Sequence, residues 1–86
     1  MASDICVRVG RKIKQLRQAK GWSQQMLADH AELERAHLSR LEEGRREAGL
    51  RVLERIAIAL DVKVEDLVRR NKTKNDAAVS PLHKSA

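Results

Sequence analysis

An all-α fold of five helices is predicted by three observations. Apolar residues recur at three- and four-residue spacing in successive segments, and capping residues bound those segments. The third is the makeup of the core, which aliphatic side chains supply almost alone, because the 86 residues include one Trp and neither Phe nor Tyr. A chain of this length builds one core, and with 35% charged residues its exterior is heavily solvated.

The first segment, Asp4 to Lys20, sets Ile5, Val9, Ile13 and Leu16 on one face, with Arg11, Lys12, Lys14, Arg17 and Lys20 elsewhere on the wheel. Gly21 suits the left-handed residue that ends a helix, and Ser23 suits the N-cap of the next. Trp22 precedes that cap and Leu27 falls on the fourth helical position, the spacing of a hydrophobic staple. A reciprocal capping box is excluded there, because Met26 stands where Glu or Gln would reach back.

The stretch QQMLADHAELERAHLSRLEE, Gln24 to Glu43, has the layout of two short helices joined by a tight turn. Leu27, Ala28 and Ala31 share a face of the first, Leu38 and Leu41 a face of the second, and Leu33 plugs the gap. Gly44 closes the second, and Gly49 caps a fourth helix whose stripe is Leu50, Leu53, Ile56, Ala57 and Leu60. A short fifth helix, about Val64 to Arg70, buries Leu67. Residues 1–70 thus form the helical domain, and the polar, aperiodic residues 71–86, which carry the only Pro, are expected to be a disordered basic tail.

The net charge of +6 is unevenly spread: +5 over residues 1–22, −3 over 23–68 and +4 over 69–86. Basic flanks are the footprint of a phosphate binder, although small soluble proteins are also basic for other reasons. Cys6 stands alone, which excludes an intramolecular disulfide and suits a reducing compartment, with Cys6 as a small apolar residue of the first helix. No apolar run reaches the ~20 residues of a membrane span, and the start lacks the apolar stretch of a signal peptide, so a cytoplasmic location is expected. Catalysis is not expected: His30, His37, His83 and Cys6 form no close metal-ligand spacing, no Gly-rich phosphate loop exists, and no nucleophile has a base and an orienting acid beside it. No cofactor or metal is implied.

The face of the third helix that is left over by Leu38 and Leu41 carries Arg35, Ala36, His37, Ser39 and Arg40. These side chains can reach base edges and phosphates and have no evident place in a core.

With that spacing, GWSQQMLA, LSRLEEG and LERIAIALDV closely resemble the Cro and lambda-repressor family, the xenobiotic-response-element (XRE) type of helix-turn-helix regulator. The resemblance spans about Val9 to Val68 and implies a five-helix lambda-repressor-like domain that binds double-stranded DNA. It implies that Gln24, opening the first motif helix with Gln25 beside it, holds a phosphate. It also implies that Glu34, Arg35, Ala36, Ser39 and Arg40 face the major groove. Arg35 and Arg40 are the favoured readers, since a guanidinium offers two parallel donors to guanine O6 and N7, worth about 1–3 kcal/mol of discrimination each. They lie about 140° apart on the helix, so they need not read one base pair, and one of them can instead hold phosphate. His37 is a phosphate contact or simply solvated. Arg45 and Arg46 are assigned to the DNA backbone, adding affinity and salt sensitivity. Glu34 either accepts from cytosine N4 or caps its helix, with capping favoured by its position. The family's pairing of a first-helix Arg with the Glu ending the motif maps to Arg17 and Glu42, an architectural pair.

The sequence departs from the family at Glu32, where Gly is usual at a positive-φ turn position, at Ala48 for a usual Pro, and at Asp61 and Lys63 for Gly and a capping Ser. These departures bear on stability and on the fifth helix rather than on the reading face. Domains of this kind pair to read two half-sites about 34–36 Å apart, and Ile58, Val62, Val64, Leu67 and Val68 are the candidate surface for a homodimer. The same valines can instead complete the core. The expected function is a sequence-specific regulator, such as a repressor, acting as a dimer on a palindromic operator. The alternative is an antitoxin or adaptor module that binds a protein through its basic tail and the fifth helix.

Overall fold

Five fully buried side chains, one from each helix, meet in a single core: Ile13, Leu27, Leu38, Ile56 and Leu67. The computed structural model describes residues 4–69, which form α1 (Asp4–Ala19), α2 (Gln24–Ala31), α3 (Arg35–Glu42), α4 (Leu50–Leu60) and α5 (Val64–Val68). The tail expected from residue 71 lies outside the described residues. α1 packs on α3 and α5, α2 on α3 and α4, and α4 on α5, so each helix touches at least two others. Truncating any of the five central side chains to Ala removes packing worth about 2–5 kcal/mol.

The expected stripes are buried except at their outer ends. Ile5 is 47% exposed and Leu50 is 81% exposed, because each sits in the first turn of its helix, where the periodicity runs on past the edge of the core. Leu16, Trp22 and Leu33 are half-buried and pack against the core. Trp22 also stacks on His30, with ring centroids 4.5 Å apart and planes 7° apart, and Lys20 Nζ stands 5.1 Å from its ring. Its role is structural, as the staple spacing suggests.

The first four helices end with the same device. Gly21, Glu32, Gly44 and Asp61 adopt φ of 75°, 58°, 76° and 61°, and the residue after each donates its N–H back to a carbonyl five residues earlier, as Leu33 does to Ala28 at 2.8 Å. Two of the four are not glycine, as the departures at Glu32 and Asp61 imply. The doubt that Lys63 cast on the fifth helix is resolved by Asp66, whose carboxylate accepts the Lys63 backbone N–H at 3.0 Å. Lysine itself offers no acceptor there.

Two glycines set the approach of α1 to α3. A Cβ on Gly10, in mid-α1, would overlap the carbonyl oxygen of Leu41 and lie 2.9 Å from that of Glu42. A Cβ on Gly44 would lie 2.9 Å from Val7 Cα, at a φ that already disfavours other residues.

Candidate nucleic-acid interface

α3 is fixed by its rear face and open on its front. Leu38, Leu41 and Glu42 are buried, whereas Arg35, Ala36 and Arg40 are exposed and Ser39 is half-buried. Ala36, Ser39 and Arg40 fall at three- and four-residue spacing, so a strip of α3 opposite the core carries a guanidinium, a hydroxyl and a small methyl. Among the described residues, neither Arg35 nor Arg40 enters an ion pair, which leaves both heads to solvent or to a ligand.

The rear anchor is a buried ion pair between α1 and α3. Arg17 Nε donates to Glu42 Oε2 at 2.7 Å and Nη2 to Oε1 at 3.0 Å, while Nη1 donates to the Trp22 carbonyl at 2.8 Å. The hydrogen bond to Glu42 raises the pKa of Arg17, burial opposes that shift, and the charge of Glu42 adds to it. The architectural role expected of this pair is what the geometry shows.

Gln24 has a partner that the sequence did not reveal. Its Nε2 donates to Glu42 Oε1 at 3.0 Å, so the first residue of α2 is tied to the last of α3. Gln25 is exposed, with Nε2 donating to Asp29 Oδ1 at 2.8 Å along its own helix. The first turn of α2 has no acidic side chain, and Ser23 Oγ takes only the Met26 N–H, at 3.1 Å, so the positive end of α2 is open to an anion.

Several expectations need correction here. Glu34 occupies the N-cap position of α3 without a side-chain capping bond, and its exposed carboxylate is left to solvent or a base. His37 is not simply solvated, for it is half-buried and its Nε2 is buried without a hydrogen-bond partner among the described residues, on the flank between the core strip and the outer strip. Arg45 is exposed and pairs with Glu43 at 3.4 Å, a surface contact worth no more than about 1 kcal/mol, so it is easily redirected. Arg46 is exposed beside an apolar cleft of about 190 Å³ lined also by Ile5, Cys6 and Val68. Leu67 is removed from the candidate pairing surface because it is fully buried within the protomer, and Val62, Val64 and Val68 are half-buried against the core. Ile58, 73% exposed, remains, and Leu50 joins it.

Residues 13–67 match the helix-turn-helix family. The control protein C.BamHI of Bacillus amyloliquefaciens is 36% identical over 69 residues, covering 79% of this chain and 85% of the relative. The control protein C.MunI of Mycoplasma sp is 36% identical over 66 residues, covering 76% of this chain and 89% of the relative. The crystal structure of the restriction-modification controller protein C.AhdI from Aeromonas hydrophila superimposes with a TM-score of 0.71 at 35% identity, over 72% of this chain and 94% of that one. The biofilm master regulator SinR, solved in complex with DNA, superimposes with a TM-score of 0.66 at 35% identity, over 69% and 95%.

Fold, open face and relatives together define a DNA-binding transcriptional regulator, a class without catalytic activity. The chain belongs to the helix-turn-helix family, in its Cro and lambda-repressor-like form. Among the described residues, no helix is long and apolar enough to cross a membrane.

Proposed function

We propose that this regulator acts as a homodimer on a palindromic operator, laying α3 of each protomer in the major groove. The observation that carries the reading is the two-sidedness of α3: Leu38, Leu41 and Glu42 are locked into the core, and Arg35, Ala36 and Arg40 are exposed, with no ion pair at either arginine among the described residues. The SinR complex with DNA and the control-protein relatives support a compact regulator of this kind, such as a controller of a restriction-modification system. Arg35 and Arg40 read bases, Gln24 and the open start of α2 hold a phosphate, and Arg45 and Arg46 add non-specific backbone attraction.

The second copy docks on α4. Leu50, Glu54 and Ile58 are spaced four apart along one exposed strip, and Leu50, Arg51, Glu54 and Val64 line a shallow recess. In a two-fold contact the strip meets itself, so Leu50 of one copy lies toward Ile58 of the other and both are covered. The adaptor alternative loses Leu67 from its fifth-helix surface, because that residue is buried, and the basic tail it also draws on lies outside the described residues.

Fluorescence anisotropy on paired duplexes, one a selected site and one of mixed sequence, tests the reading. Arg35→Ala with Arg40→Ala should erase the preference between them. Arg45→Ala with Arg46→Ala should weaken both equally and lower the salt slope by about 2. An unchanged preference in the first double variant removes the sequence-reading claim.

A further inference from the structure

We infer that Glu42 is a positioning residue for the phosphate contact of Gln24. The inference rests on the DNA-binding reading and assigns part of that site's precision to a side chain that touches no DNA.

The carboxylate of Glu42 is 2% exposed, and Arg17 holds both of its oxygens, so it cannot swing. Oε1 accepts a second bond, from Gln24 Nε2 at 3.0 Å. A primary amide nitrogen carries two N–H bonds about 120° apart in one plane. With one committed to a fixed buried oxygen, the other remains for an acceptor outside the core, on a half-buried residue that begins α2. The rotamer entropy of Gln24 is therefore lost on folding rather than on binding, where ordering such a side chain costs about 0.5–1.5 kcal/mol. The charge arrangement requires this relay: Glu42 is neutralised by Arg17, and the neutral amide is what stands between the carboxylate and an incoming phosphate. Because Glu42 ends α3 and Gln24 begins α2, the clasp also sets the phosphate contact in register with the reading helix.

The test combines NMR of the Gln24 side-chain amide with duplex binding by Gln24→Ala, Glu42→Gln and the double variant. In the unbound chain the Gln24 Nε2 group should be as ordered as the backbone and show two widely separated proton shifts, unlike exposed Gln15 and Gln18. Each single variant should weaken binding about three- to tenfold on selected and mixed-sequence duplexes alike, with an unchanged salt slope because no charge facing DNA is removed. The double variant should lose no more than the worse single one. If Glu42→Gln does not fold, the order of the amide in the unaltered chain and the Gln24→Ala affinity decide. A freely rotating Gln24 amide, additive losses, or undiminished binding by Gln24→Ala overturns the inference while leaving the DNA reading intact. Failure of the unaltered chain to bind any duplex overturns both.

Discussion

Arg17 and Glu42, 25 residues apart, form a two-point buried ion pair that joins the last turn of α1 to the end of α3. Removing one partner strands the other charge, so Glu42→Ala should cost about 3–5 kcal/mol in denaturant unfolding. Replacing both, as Arg17→Met with Glu42→Leu, should restore most of that loss. The raised pKa of Arg17 means that its contribution is complete below the unfolded value and fades only above the arginine range. The stability difference between the unaltered chain and Glu42→Ala should therefore hold constant from about pH 7 to about pH 9 on the guanidinium's account.

Gly10→Ala should destabilise the domain although Ala favours helix, because the added carbon meets the carbonyl oxygens of Leu41 and Glu42. Overpacking of this kind costs about 1–3 kcal/mol, or roughly 4–8 °C in Tm per kcal/mol at this size. Gly49→Ala, where a Cβ meets nothing within 4 Å, should cost less than Gly10→Ala, since it loses only a preferred N-cap residue of α4.

Glu32→Gly should raise stability by up to about 1 kcal/mol, since a side chain at φ 58° is strained and Gly is not. Asp61→Gly, at φ 61°, should gain less, because Asp tolerates the left-handed region better than Glu does. Thermal unfolding of the two variants measures the difference.

Ile58→Asp should leave the protomer folded and shift sedimentation toward monomer, with loss of affinity for a two-fold site and little loss for a single half-site. Leu67→Asp should instead unfold the chain, because its position is fully buried. Equal sedimentation of Ile58→Asp and the unaltered chain would move the pairing surface elsewhere.

Most of the architecture is legible in the sequence because local signals agree: the stripes through Ile13, Leu27, Leu38 and Ile56, the cap at Ser23, and Gly21 and Gly44 after their helices. Where a reading failed, tertiary geometry decided. Periodicity places Leu50 on the core stripe but cannot say where the core ends, whereas Leu67 is buried as the fifth helix predicts and only its second assignment, to a pairing surface, fails. Gly10 gives only a weak hint, a helix-weakening residue inside a regular stripe, until α3 is seen against it. The link from Gln24 to Glu42 spans 18 residues, and no spacing rule predicts it. The outward face of α3 was legible because Leu38 and Leu41 fix which side remains.

Selection of bound duplexes from a random pool tests the central claim, that two copies of α3 read DNA through Arg35 and Arg40. The account predicts a two-fold symmetric site with half-sites about 10–10.5 base pairs apart, and no such enrichment by the Arg35→Ala, Arg40→Ala variant. Recovery of no preferred sequence by the unaltered chain, or of the same site by the variant, would contradict it.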